Sequence, residues 1–261
     1  MSDSRPFEDH AYPILEFDPS REAMIEPHFG VAPASLPQHC VLCFFAEVVT
    51  ALVEAKKARP VAALRSEIGE NPVYTFELDG EPLTLFHPGV GAPLAAAFLE
   101  ESIALGCRTF IACGGAGVLN PEMMVGHVVV PNTALRDEGT SYHYLPPGRE
   151  VAAHPDAVAA IAAVLDHHAV PYTVGKTWTT DAFYRETPAK VSRRREEGCL
   201  TVEMEAAAFF AVARFRSVVL GQLLYSGDNV GGEVWDMRDW QRKGSVREQL
   251  LWLAAEACLR L

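Results

Sequence analysis

Short apolar runs rich in β-branched and aromatic residues alternate along the chain with longer segments of helical pattern. The short runs predict strands at residues 40–45, 73–78, 83–88, 108–113, 126–131, 172–177 and 218–225. The longer segments predict helices at residues 47–58, 92–105, 155–168, 188–197, 206–215 and 246–259. Because no linker or low-complexity segment divides this series, we expect a single domain over residues 1–261, with residues 1–11 as an extended N-terminal arm.

Two of these strands are predicted to form a hairpin. Residues 74–86 alternate apolar and polar positions on both sides of Asp79-Gly80, and Asp-Gly is the favoured dipeptide of a type I′ turn. Elsewhere strands alternate with helices, which is typical of α/β proteins. We therefore expect an α/β fold, a three-layer sandwich around a mixed central sheet, with ligands bound at the carboxyl ends of its strands.

Composition narrows the classes of function. The chain is 49% hydrophobic and carries a formal net charge of −12, which argues against a nucleic-acid partner. It has no apolar run of 18 residues, so no membrane span is expected, and its polar, acidic first residues lack a secretion signal. We expect a cytoplasmic protein. The basic run at residues 193–195 is followed by acids and indicates a solvated helix face, with a phosphate or a neighbouring subunit as the alternative partner.

The six cysteines, at positions 40, 43, 107, 113, 199 and 258, are mostly embedded in apolar strings. Cys40 and Cys43 have the C-x-x-C spacing of a metal or redox pair, but no second Cys/His pair follows at zinc-finger spacing. We therefore interpret the cysteines as reduced thiols in the core, and we expect no bound metal.

The segment Glu203-Met204-Glu205 runs directly into an apolar stretch that is too hydrophobic for an exposed helix. A buried carboxylate is costly unless it is paired or hydrogen-bonded, so these two need partners. Three structural explanations are open: the acids lie in the first turn of a helix, they pair with an arginine at 193–195, or one of them is solvated. A polar ligand bound by the carboxylates is the functional alternative.

Two glycine-rich segments follow predicted strands, at residues 87–91 and 114–117. Glycine permits positive φ and close approach of a ligand, and free backbone N–H groups at such turns bind anions. The alternative is that both are ordinary tight turns. Neither segment has the Gly-Lys-Ser/Thr ending of a Walker loop or the full G-x-G-x-x-G spacing of a dinucleotide site.

Taken in order, residues 83–91, 107–119, 125–130, 180–184, 202–206 and 226–228 resemble the nucleoside phosphorylase family, in particular the branch of uridine phosphorylase and hexameric purine nucleoside phosphorylase. The resemblance runs from about Tyr12 to the end, and Glu-Met-Glu-Ala is its most specific motif. It implies phosphate-dependent cleavage of the N-glycosidic bond of a purine or pyrimidine nucleoside, without a cofactor. It also implies a homodimer or homohexamer with shared active sites.

The resemblance implies roles for individual residues. Glu205 would accept hydrogen bonds from the ribose hydroxyls, Met204 would pack on the sugar beside Glu203, and Phe183 would pack on the base. Asp228 matches the acid of purine-specific members, although Gly227 separates it from Ser226. Arg185 and Glu186 occupy the region where pyrimidine-specific members hold the base with Gln and Arg.

The phosphate site departs most from the family pattern. Phosphorylases of this branch carry Gly-Asp-Pro-x-Arg, and residues 17–21 match it with Phe17 in place of the glycine. Arg21, Gly114 and Gly115 are therefore the candidate phosphate ligands. A second phosphate arginine of the family falls on Ala112. A nucleosidase that uses water, or a nucleoside-binding protein without catalysis, are the alternatives to a phosphorylase.

Overall fold

The computed structural model describes residues 10–27, 35–240 and 244–261, so most of the arm expected at residues 1–11 lies outside the described part. Ten strands and six α-helices follow one another along the described chain. They are β1 (His39–Cys43), α1 (Ala46–Glu54), β2 (Ala58–Ser66), β3 (Gly69–Leu78), β4 (Glu81–Phe86), α2 (Ala92–Ala104), β5 (Thr109–Val118), β6 (Val128–Asp137), β7 (Glu150–Ala152), α3 (Pro155–His167), β8 (Tyr172–Thr180), α4 (Pro188–Glu196), β9 (Cys199–Glu203), α5 (Ala206–Arg216), β10 (Val219–Asn229) and α6 (Gly244–Leu259).

The strands form one mixed sheet in the order β10-β6-β8-β9-β5-β1-β4-β3-β2, with β7 paired to β6. Because β5 also pairs in parallel with β10, the first five strands of this order close into a ring, and the other four continue the sheet from β5. Parallel pairs such as β1–β5 and antiparallel pairs such as β3–β4 occur together. The predicted mixed sheet is confirmed.

Helices cover both faces of this sheet. One apolar core lies between the sheet and α1, α3 and α6, and includes Ile161 and Leu251. The other lies under α2 and α5, and includes Phe98 and Phe209. The predicted three-layer arrangement is therefore confirmed, and all six cysteines are buried, as expected. Within the described residues, no helix has the length and apolar character needed to cross a membrane.

The predicted hairpin is confirmed, since β3 and β4 pair antiparallel around Asp79 and Gly80, both at positive φ. The helix predicted at residues 47–58 is too long. It ends at Glu54, Lys56 takes a left-handed φ of 58°, and β2 begins at Ala58. The proline at position 60 disfavours helix before it and is tolerated in β2 because β2 is the edge strand of the sheet.

Three strands were not predicted: β2, β7 and β9. The prediction of a turn at Gly114–Gly117 is also wrong, because these residues continue β5 as far as Val118. None of these glycines has a positive φ. A Cβ on Gly114 would lie 3.1 Å from the Phe44 ring, and one on Gly115 would lie 3.1 Å from the Tyr225 ring. Their lack of a side chain therefore accommodates aromatic rings within a regular strand.

Packing of α3 on the sheet predicts a sensitive position at Gly221 of β10. A Cβ there would lie 2.8 Å from Ala157 Cβ and 3.0 Å from Ile161 Cδ1. Gly221→Ala should therefore lower the free energy of unfolding by about 1–3 kcal/mol through overpacking. Gly244→Ala is the matched control, since no atom lies within 4 Å of the point that its Cβ would occupy, and it should be nearly neutral in chemical denaturation. Equal effects of the two substitutions would contradict this packing.

Candidate active site

A cavity of about 840 Å³ lies where β5, β9 and β10 end. Gly115 and Gly117 of β5 form its floor beside Glu203 and Met204. Further lining side chains come from the segment after β8, from the end of β10 and from the loop after β10. They are, respectively, Phe183, Tyr184 and Glu186, then Asp228, then Trp235 and Trp240. Glu203 and Met204 therefore share this cavity with several aromatic side chains, which we call the aromatic wall: Phe183, Tyr184, Trp235 and Trp240.

Glu203 ends β9 and lies almost fully buried, with 7% of its surface exposed. Its Oε2 accepts hydrogen bonds from the backbone N–H groups of Glu205 at 2.7 Å and Ala206 at 2.6 Å. Its Oε1 accepts one from Thr179 Oγ1 at 2.6 Å. Glu203 is therefore a capping group for the first turn of α5, which satisfies the free N–H groups of the helix end.

Glu205 stands at the position before α5, 5% exposed, and does not line the cavity. Its Oε1 accepts a hydrogen bond from Gly91 N at 2.6 Å, in the first glycine-rich segment. Gly89 and Gly91 have φ of 81° and 92°, so the turn predicted there is confirmed. Met204 lies between the two glutamates and faces the cavity.

Burial dominates the titration of both glutamates. Burial raises the pKa of Glu203 to about 7, against the hydrogen bonds that favour its charged form. Burial and the nearby charge of Glu203 raise the pKa of Glu205 to about 8. The suggested pairing with the arginines at 193–195 is wrong: Arg194 bonds Asp137 and Glu197, and Arg193 lies next to Glu197. Both glutamates therefore bind their protons more tightly than an exposed glutamate does.

The aromatic wall carries Phe183 and Tyr184, whose ring centroids lie 4.1 Å apart and whose side chains are exposed. At the end of β10, Asp228 Oδ2 accepts a hydrogen bond from Trp235 Nε1 at 2.7 Å. Phe183 and Asp228 were both proposed from the sequence, and the structure brings them into the same cavity as Met204 and Glu203. Trp235 and Trp240 were missed. The only sequence signal for them is the Gly231-Gly232 pair, which marks a loop ahead of Trp235.

Three other candidates lie apart from this cavity. Arg185 is exposed and does not line it. Gly114 is buried under the Phe44 ring. The Arg21 guanidinium lies 5.4 Å from the ring centroid of Phe215, near the end of α5, whereas Glu205 precedes its start. An 11-residue helix is about 16 Å long, so the structure does not bring Arg21 to the glycine segments.

Acidic groups dominate the cavity. Of the described residues that line it, Arg195 is the only lysine or arginine, and its NH1 donates to Gly231 O at 3.3 Å. The lining carboxylates are Glu186, Glu203, Asp228 and Glu233. Among the described residues, the His, Cys, Asp and Glu side chains close enough to share a metal ion are His167, His168 and Glu256, which lie outside this cavity. The cavity therefore suits an uncharged ligand with hydroxyl or N–H donors.

The raised pKa of Glu205 predicts that stability falls with rising pH. The Glu205 carboxyl group keeps its proton up to about pH 8 in the folded protein, whereas in the unfolded chain it releases the proton near pH 4.5. The stability that the protonated group contributes is therefore fully present below pH 4.5 and is lost as the pH rises to about 8. Glu205→Gln removes this ionisation. Between about pH 5 and 8 the free energy of unfolding of this variant should therefore fall by about 1–4 kcal/mol less than that of the wild type. Chemical denaturation across this range measures it.

Glu81→Gln is the control for that experiment, because Glu81 is exposed at the start of β4. This variant should keep the pH dependence of the wild type. If Glu205→Gln also shows the wild-type pH dependence, ionisation of Glu205 does not lower the free energy of unfolding. The conclusion that burial raises the pKa of Glu205 would then be incorrect.

Comparison with known proteins places the chain. The family model of the Phosphorylase superfamily matches residues 38–257. The guanosine phosphorylase of Halorubrum lacusprofundi is 30% identical over 187 residues, which cover 69% of this chain and 78% of that protein. The uridine phosphorylase of Thermococcus kodakarensis is 26% identical over 217 residues, covering 78% and 77%.

Among solved structures, the crystal structure of uridine phosphorylase from Vibrio fischeri superimposes with a TM-score of 0.72 at 23% identity, over 91% of this chain and 95% of that one. This likeness shows the shared fold. Together with the family match over most of the chain, it confirms the resemblance noted in the sequence. The protein belongs to the Phosphorylase superfamily.

Proposed function

We propose that this protein cleaves the N-glycosidic bond of a nucleoside, releasing the free base. The observation that carries the proposal is one cavity lined by Glu203, Met204, Phe183 and Asp228. Membership of the superfamily and relatives named as guanosine and uridine phosphorylases support the same chemistry.

In this proposal Met204 packs on the pentose and Glu203 accepts hydrogen bonds from its hydroxyl groups. Glu205 joins Glu203 in this role after its side chain leaves Gly91 N and turns into the cavity. Hydrogen bonds from the sugar hydroxyls replace part of the solvation that each carboxylate lost on burial. They favour the charged form and so act against the burial that raises the pKa of both glutamates. The base lies against Phe183. Loss of the base leaves positive charge at C1′, and the acidic cavity stabilises that charge electrostatically.

Inorganic phosphate is the first candidate for the group that takes the pentose. The relatives named as phosphorylases support it. Among the residues that the structure describes, Arg195 is the cation on the cavity wall, and the Arg21 guanidinium lies at Phe215 instead.

Water is the second candidate, and the geometry of the site favours it. A phosphate dianion needs cations or free N–H groups, but the Gly91 N–H already donates to Glu205, and Gly114 is part of a regular strand. Ala112, where the family carries an arginine, is completely buried in the core. The nearby carboxylates would repel a dianion.

A panel of purine and pyrimidine nucleosides, each with and without phosphate, tests both parts of the proposal by the appearance of free base. We expect release from at least one nucleoside. Release that requires phosphate supports phosphorolysis, and equal release without phosphate supports hydrolysis. If high enzyme concentrations release no base from any nucleoside while one of them binds, the protein is a nucleoside-binding protein and the proposed cleavage is wrong.

Phe183 provides a second test of the same site. Base–aromatic stacking is worth about 1–3 kcal/mol, so Phe183→Ala should raise KM about tenfold or more with the fold unchanged, because the side chain is 51% exposed. Phe183→Leu keeps apolar contact without the ring and should have an intermediate KM. Unchanged KM in both variants would remove Phe183 from the base site.

We also propose that the protein is a homo-oligomer, a dimer or a hexamer. The rim of the cavity exposes large apolar side chains, with Tyr184 at 87% and Trp235 at 62%, which a neighbouring copy would cover. Light scattering at micromolar concentration should give a multiple of 28.5 kDa. A mass equal to one chain would contradict the proposal.

A further inference from the structure

Glu186 and Asp228 are two of the carboxyl groups that line the cavity, and the charge of Asp228 acts on Glu186. Glu186 follows the short 3-10 helix Phe183–Arg185 directly, and its backbone N–H donates to Phe183 O at 3.2 Å. Glu186 therefore lines the cavity from the same short segment as Phe183, against which the proposed base packs. Asp228 approaches from the end of β10, on a different element.

The two carboxyl groups have different surroundings. Asp228 accepts the indole N–H of Trp235 at 2.7 Å, and a donor at this distance stabilises a negative charge. Among the described residues, no hydrogen-bond donor to the Glu186 carboxyl is found, and this group is partly buried beside Asp228. When two carboxyl groups lie close together, the proton goes to the one that is less well solvated as an anion.

The pKa of Glu186 agrees with this difference in surroundings between the two carboxyl groups. Burial and then the charge of Asp228 raise the pKa of Glu186 to about 7, and Lys190 opposes them weakly. Lys190 Nζ lies 3.2 Å from Asp137, which accounts for its small effect. The other charged groups that line the cavity are Arg195 on α4, Glu203 at the end of β9, and Glu233 in the loop after β10.

We infer that Glu186, and not Asp228, donates the proton to the departing base, and that the substrate is a purine nucleoside. This inference rests on the proposed function. A general acid must hold a proton before the reaction and release it during the reaction, and a carboxyl group that titrates near neutral pH can do both. A purine has an imidazole nitrogen with a free lone pair, remote from the glycosidic bond, that accepts such a proton, whereas a pyrimidine ring has no equivalent nitrogen.

The step balances without a further reagent. The C1′–N bond breaks, and its electron pair passes to the base. The Glu186 proton moves to the imidazole nitrogen, so the base leaves neutral and Glu186 becomes a carboxylate. An oxygen of water or phosphate bonds to C1′. The proton that restores Glu186, directly or through solvent, comes from the attacking water or from the remaining P–OH group of the phosphate.

A purine nucleoside already methylated at that imidazole nitrogen carries the positive charge in advance and needs no acid. The experiment compares the best substrate among adenosine, guanosine and inosine with its N7-methylated counterpart, for the wild type, Glu186→Gln, Asp228→Asn and Glu81→Gln. Glu186→Gln should lower kcat/KM about a hundredfold on the unmethylated nucleoside and less than about threefold on the methylated one. Activity on the methylated nucleoside also shows that the variant is folded.

A pH profile gives a second readout. The wild-type kcat/KM on the unmethylated nucleoside should fall as pH rises through about 7, because Glu186 loses its proton, and Glu186→Gln should lack this fall. Glu81→Gln should match the wild type on both substrates.

Three results would overturn the inference while leaving the proposed function intact. These are an equal loss by Glu186→Gln on both nucleosides, the selective loss appearing in Asp228→Asn instead, and wild-type cleavage of pyrimidine nucleosides alone. Absence of base release by the wild type from every nucleoside, methylated ones included, overturns the proposed function itself.

Discussion

The hydrogen bonds to the Glu203 carboxylate are the interaction on which the site depends. Glu203 ends β9, and its carboxylate binds the first N–H groups of α5, so strand and helix meet at a fixed angle. That junction directs Met204 into the cavity and brings Glu205 to the glycine turn at Gly91. Thr179 of β8 adds a third donor and ties the junction to the neighbouring strand.

This arrangement carries an energetic cost that a ligand can offset. Glu203 and Glu205 are buried, and neither forms an ion pair within the described part of the chain. Both hold protons more tightly than free glutamates do. Buried polar groups with incomplete solvation are commonly found where a protein binds or transforms a ligand. Glu186 and Asp228 add two further carboxyl groups to the cavity, where the base is proposed to bind. An uncharged substrate that develops positive charge during reaction fits both sides.

Apolar periodicity was sufficient to predict most of the fold. The helices at 92–105 and 155–168 agree with α2 and α3 to within one residue, because their apolar faces pack on the sheet along their full length. Periodicity failed where backbone geometry decides, as at the left-handed Lys56 that ends α1. It also failed at β9, which is five residues long and whose last residue, Glu203, belongs to the acidic motif.

The site was predicted in part. Glu203, Met204, Phe183 and Asp228 were identified from a motif and meet in one cavity. The second glycine segment was misread as a turn because glycines that admit an aromatic ring and glycines at positive φ look alike in a sequence. Arg21 matched a short pattern, whose position in space the sequence does not specify. The charge coupling of Glu186 to Asp228 depends on contacts between distant segments, which no local pattern reports.

The most direct measurement of the central claim is a crystal structure of the protein with a nucleoside and, in a second crystal, with the free base. The account predicts the sugar against Met204 with its hydroxyls at Glu203 and Glu205, and the base between Phe183 and the pair Glu186 and Asp228. A nucleoside bound outside this cavity, or one whose sugar lies away from Met204, would contradict it.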